Sequence, residues 1–155
     1  MFDEDRTTFL ESGCALILGT VLPDGGPHAG RGWGLTVLAD GQVRLLLDAE
    51  DVAMVDQAAA GGAIAITGAS VRTLRSIQLK GSAVSVEAAS VEDAARACRY
   101  CDAFFGDIVD TDGIDRALVE RMMPLGYVSC TVAIEHLFDQ TPGPGAGARL
   151  TAPTS

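Results

Sequence analysis

Two short stretches hold most of the residues that could do chemistry. The first is His28-Ala29-Gly30-Arg31-Gly32-Trp33-Gly34. A strand alternates its faces, so His28, Gly30, Gly32 and Gly34 share one side, and Ala29, Arg31, Trp33 and Leu35 share the other. Glycine weakens a strand because it loses more entropy and packs nothing, so three on one face need a reason. Spacing alone leaves two open: a flat or bulky ligand laid on the backbone, or a barrel corner with a neighbouring element packed close. The pattern is not a dinucleotide fingerprint, since the spacing is Gly-x-Gly-x-Gly and no helix follows.

The second stretch is Arg72-Thr73-Leu74-Arg75-Ser76-Ile77-Gln78-Leu79-Lys80-Gly81, with three cations in nine residues of a strongly acidic chain. Ser76, Gln78 and Lys80 alternate onto one face, and Arg75, Ile77 and Leu79 onto the other. A solvated strand face accounts for Gln78 and Lys80. Clustered arginines at a strand's entry, Arg72 and Arg75, suit an anionic ligand such as a phosphate.

The remaining reactive groups point to structure. Cys14 and Cys130 fall in apolar runs, where a free thiol acts as a small hydrophobe. Cys98 and Cys101 lie in a helical segment, Ser90–Phe105, whose apolar stripe reads Val91, Ala94, Cys98, Cys101 and Phe105. Both are therefore expected to face the core. A redox pair would sit at a helix start, and a zinc site would need two further ligands. His136, like most lone strand histidines, reads as a structural residue, and His28 carries more weight because it opens the glycine face.

The elements that must position these groups can be read in order. Asp3–Ser12 is a short helix closed by Gly13, and Cys14–Leu22 is an apolar strand. Pro23-Asp24-Gly25-Gly26 turns into strand His28–Leu38, and Ala39-Asp40-Gly41 turns into strand Gln42–Asp48, giving a three-stranded meander. Ala49–Ala60 is a helix with Val52, Val55 and Ala59 on one side, followed by strand Ala63–Thr67 and a strand from about Arg72 to Val86. Ser90-Val91-Glu92-Asp93 starts the next helix with a variant capping box. Thr111–Met123 is a further helical segment, and Tyr127–Phe138 a sixth strand. The tail, Asp139–Ser155, holds three of the six prolines and three glycines and reads as extended or mobile, or as a covering segment. Six strands joined by short turns and one helix favour a small antiparallel barrel with helices outside, a mainly β (α+β) domain over residues 1–138.

At 155 residues the chain suits one domain with a true core. Its 21 acidic and 11 basic residues give a net charge of −10, which repels nucleic acid and anionic membrane. RNA binding by a barrel face is disfavoured further by an aromatic content of 5%, since stacking needs aromatic platforms. The acidic start, Met1-Phe2-Asp3-Glu4-Asp5, lacks the features of a signal peptide, and a cytoplasmic location is expected.

The order of elements, with Thr20-Val21-Leu22-Pro23-Asp24-Gly25-Gly26-Pro27-His28 ending the first strand and Arg75-Ser76-Ile77-Gln78-Leu79-Lys80-Gly81 after the central helix, resembles the pyridoxamine 5′-phosphate oxidase-like, FMN-binding split-barrel family. The ending Phe138–Gly147 looks like a poorly characterised branch of it. The resemblance spans roughly residues 5–138 and implies a homodimeric flavoprotein with two FMN sites at the subunit interface. Carried over by position, Arg31, Gly32 and Trp33 would run along the flavin ring, and Arg75 and Ser76 would sit near the ring or its ribityl chain. One departure stands out. The family usually places an Arg or Lys pair after the third strand to hold the FMN phosphate, and this chain has Glu50-Asp51-Val52 there. Two carboxylates repel a phosphate dianion. Either Arg72, Arg75 or Arg31 takes over the phosphate, or the ligand is not FMN.

The sequence thus supports a flavin-dependent oxidoreductase, with His28, Arg31, Gly32, Trp33, Arg72, Arg75, Ser76 and Gln78 as candidate cofactor residues. The alternative is a binding or sensor protein that uses the same barrel for flavin, haem or another flat ligand without turnover, or one whose FMN site is lost.

Overall fold

A computed structural model describes residues 1–150. Six antiparallel strands form a closed barrel: β1 Ala15–Val21, β2 Pro27–Val37, β3 Gln42–Asp48, β4 Ala63–Ala69, β5 Ser76–Ala88 and β6 Tyr127–Asp139. Around the barrel the order is β1-β2-β3-β6-β5-β4, and β4 pairs back onto β1. The opening three strands are the expected meander, and β6 inserts between β3 and β5. Inward positions of β1, Leu16, Leu18 and Thr20, alternate with Ile17, Gly19 and Val21 outside, as a half-buried strand requires. The interior is dominated by Leu, Ile and Val from all six strands.

Helices close the barrel and cover part of its outside. Short α1, Glu4–Leu10, is capped by Asp3, and its Phe9 and Leu10 pack against Gly68 and Cys14. Helix α2, Val52–Ala59, packs on β1, β2, β4 and β5. Its buried residues are Met54 and Ala58, whereas Val52 is exposed, so the expected Val52 side is not the one it buries. The cause is Asp51, whose carboxylate caps α2 by accepting from the Met54 N–H and so sets the helix rotation.

Helix α3 is longer than expected, Val91–Asp112, and takes in the first residues of the segment read as Thr111–Met123. The rest of that segment is a one-turn α4, Arg116–Val119, followed by a 3-10 turn. Gly113 ends α3 in the left-handed conformation at φ 67°. The capping box at Ser90 and Asp93 is present as expected. Its buried face is Asp93, Ala97, Tyr100, Cys101, Phe104 and Phe105, so Cys98 is exposed and only Cys101 joins the core. The face is rotated from the expected one because Asp93 is drawn inward by Arg44, whose guanidinium donates two 2.7 Å hydrogen bonds to it. A stripe defined by apolar residues alone misses a carboxylate at its head.

Strand β5 begins at Ser76, and Arg72–Arg75 belong to the turn before it, where Leu74 takes φ 62°. The described part of the tail folds back instead of running extended. Gln140 N–H donates to Ser76 O, Gly147 N–H to Asp139 O and Leu150 N–H to Leu137 O, so residues 140–150 fold back along the end of β6. Residues 151–155 of the expected tail lie outside the described residues. No helix among the described residues is long and apolar enough to cross a membrane.

Candidate functional site

The glycine face of β2 points into the barrel, and the chain itself fills it. A Cβ added at Gly30 would lie 2.5 Å from Asp51 Oδ2, and one at Gly32 would lie 2.9 Å from Leu45 and 3.0 Å from Leu16. Gly34 leaves the stripe. A bulge between Gly32 and Leu35 breaks the alternation, and Gly34, at φ 140°, faces Arg96 and Tyr100 of α3 instead. The three glycines therefore serve three separate close approaches, and the close-packing explanation of the stripe holds.

His28 and Asp51 meet at the end of that face. His28 Nε2 lies 2.8 Å from Asp51 Oδ1, with both side chains about a quarter exposed. The same carboxylate caps α2, so the residue found in place of the phosphate-binding cations ties β2 to α2. Trp33 and Gly32 are buried. Ser76 is buried as well, its hydroxyl donating to Leu74 O and its N–H to Thr141 Oγ1. None of these three presents a group to a surface ligand.

Arg72 and Arg75 are occupied elsewhere. Arg72 donates to Asp107 and Asp110 of α3, at 2.6 Å each, and these bonds raise its pKa further. Arg75 pairs with Asp5 of α1, lowering the Asp5 pKa, and lies 4.5 Å from the Phe9 ring centroid. Both arginines tie α1 and α3 to the start of β5. Arg75 stands five residues, roughly 17 Å along an extended strand, from Lys80.

The outward face of the barrel differs. Strand register lays two neighbouring rows across it: Ala29, Gly19, Ala65, Lys80 and His136, and beside them Arg31, Ile17, Thr67, Gln78 and Phe138. Two of the candidate residues, Arg31 and Gln78, are therefore on one row, about 14 Å apart across three strand spacings. Gln78 Nε2 donates to Thr67 Oγ1 at 3.1 Å, and the Arg31 guanidinium sits 5.8 Å from the Phe104 ring centroid. A shallow recess of about 540 Å3 opens here, lined by Gly19, Val21, His28, Ala29, Ala65 and Lys80, so His28 is the expected cofactor residue that borders it. Its floor exists because Gly19, Ala29 and Ala65 are small; nothing lies within 4 Å of where a Cβ on Gly19 would be. Of the lining residues, sequence reasoning left out Gly19 and read Lys80 only as part of a solvated strand face. The signal was available in the small residues that alternate outward on β1, β2 and β4 together.

As a place for a flat ring, the recess fits: it is apolar, open and of a size common for ligand sites. As a place for a phosphate, the α2 N-terminus does not fit, since the Asp51 carboxylate already occupies it with Glu50 beside it.

Comparison with known proteins adds the fold. No protein-family model matches the chain, and no curated protein matches it. Among solved structures it is similar to HupZ of Group A Streptococcus, at 15% identity and a TM-score of 0.56, covering 95% of this chain and 100% of that one. It is similar also to a candidate pyridoxamine 5′-phosphate oxidase from Lactobacillus delbrueckii, at 15% identity and TM-score 0.55, covering 88% and 93%. An F420 reductase matches at 15% identity and TM-score 0.53, covering 88% and 98%. The chain has the split-barrel fold of the pyridoxamine 5′-phosphate oxidase-like proteins, as its sequence suggested.

Proposed function

We propose that the chain binds a flat, conjugated ligand of the flavin class on the outward face of β1, β2, β4 and β5, in a homodimer whose copies meet over that face. The observation that carries this reading is the recess itself, a small-residue floor edged by a lysine with no carboxylate partner among the described residues. Ile17 and Val21, 47% and 58% exposed, supply apolar area beside it for a second copy. The fold is shared with an F420 reductase and with a candidate pyridoxamine 5′-phosphate oxidase.

Binding without turnover is the form the residues favour, because Asp51 and Glu50 stand where a phosphate would be held. Redox turnover is the second reading, favoured by Arg31, a cation without a carboxylate partner on the row beside the recess. Titration of the purified chain with riboflavin and with FMN, followed by flavin fluorescence, tests the site. Gly19→Leu is expected to abolish binding by filling the recess while leaving the melting temperature within a few degrees, since its side chain meets open space. No binding of either flavin by the wild-type chain, or unchanged binding by Gly19→Leu, overturns the reading. Bleaching of a bound flavin by NADH or NADPH without oxygen would establish turnover.

A further inference from the structure

We infer that Lys80, His136 and Arg149 form an oxyanion-binding corner at the β6 side of the recess, taking the phosphate or carboxylate carried by its ligand. The Lys80 part of this inference rests on the proposed use of the recess; the corner itself rests on its own geometry.

Lys80 lines the recess and is the register partner of His136 across β5 and β6. Arg149 reaches the same place from the tail, where the fold-back puts it in a bridge with Phe138. Its Nη2 lies 2.7 Å from His136 Nδ1. A guanidinium can only donate, so Nδ1 must be the acceptor and the ring proton must sit on Nε2. Lys80 Nζ lies 5.1 Å from the Phe138 ring centroid, and the His136 ring stands edge-on to the same phenylalanine. Phe138 thus gathers the three polar groups.

What they offer is donors without an acceptor: an ammonium, the rest of a guanidinium and an imidazole N–H. No carboxylate of the described residues is within ion-pair distance of Lys80 or Arg149. The contrast is with Arg44, Arg72, Arg75 and Arg116, each of which has one or more. In a chain of net charge −10, two cations that each border His136 without an acid, beside an apolar recess, match an oxyanion on a flat ligand. The corner therefore supplies what the α2 N-terminus has given up.

The chain has only two histidines, so imidazole NMR signals report the corner directly. Inorganic phosphate, against chloride at equal ionic strength, is expected to shift the His136 signals and leave those of His28, and Arg149→Ala should abolish the shift. Sodium acetate run in parallel separates the sources: an equal response assigns the corner to a carboxylate, a weaker one to a phosphoryl group. FMN should bind on the order of tenfold more tightly than riboflavin, the scale of one charge-assisted hydrogen bond. Arg149 lies outside the recess lining, so Arg149→Ala should narrow that ratio with riboflavin affinity unchanged. If neither anion moves His136 and the ratio is one, the corner is overturned while flavin binding stands. If His136 responds but neither flavin binds, the corner stands and the ring ligand is overturned.

Discussion

Asp51 holds three contacts at once: the His28 imidazole, the Met54 N–H in the first turn of α2, and the space that a side chain on residue 30 would fill. Gly30→Ala is expected to push the carboxylate off its two partners and to cost about 1–2 kcal/mol, the scale of a lost helix cap. In an Asp51→Ala background the same substitution should cost much less, a coupling that a double-mutant cycle by urea denaturation would measure. Additive losses would show that Gly30 matters for some other reason. At this scale the sequence was half legible. Three alternate glycines announced a close approach to β2, but the approaching group comes from 21 residues further on, and strand spacing carries no information about it. Likewise Arg72 and Arg75 were visible as a cationic pair, while the carboxylates that occupy them lie in α1 and α3.

Helix α3 is anchored to the barrel by a charge pair at its first turn. Arg44, with the Ser90 N–H and the Ser90 side chain, holds the Asp93 carboxyl down at about 2, from an ordinary 3.8. A depressed folded-state pKa gives stability that is present above the unfolded value and is lost as pH falls through the folded one. Asp93 should therefore contribute about 2 kcal/mol at neutral pH, fading between roughly pH 4 and pH 2. Denaturation of Asp93→Asn across that interval is expected to be less acid-sensitive than the wild type and weaker at pH 7; parallel curves would contradict the assignment. The capping box was plain in Ser90 and Asp93. The buried face was not, because hydrophobic periodicity excludes the one polar residue that fixes the helix's rotation, and the exposed Cys98 was placed inside as a result. Cys101 follows the pattern in full: burial pushes its thiol up, as it does for Cys14 and Cys130, each to about 11.

On the scale of the whole molecule, the helices leave a bare patch beside the recess, where Ile17 and Val21 are 47% and 58% exposed. Sedimentation is expected to give twice the mass of the chain, and Ile17→Glu to give a monomer of unchanged melting temperature, since residue 17 is already 47% exposed in one copy. A wild-type monomer would remove the dimer from the proposal. The barrel itself was legible because six alternating runs with short turns leave few other architectures. The bare patch was not, because exposure depends on where α3 lies, and Gly34 with its bulge directs that. The position of β6 has a consequence for biosynthesis. Residues 42–48 pair with residues 127–133, and β5 pairs with β6 up to Asp139. While the chain is being translated, β1 to β5 can associate only as a curved ribbon with two open edges, one on β3 and one on β5. Those edges stay unsatisfied until residue 139 has emerged from the ribosome, so the nascent chain, more than the finished one, is exposed to edge-to-edge pairing.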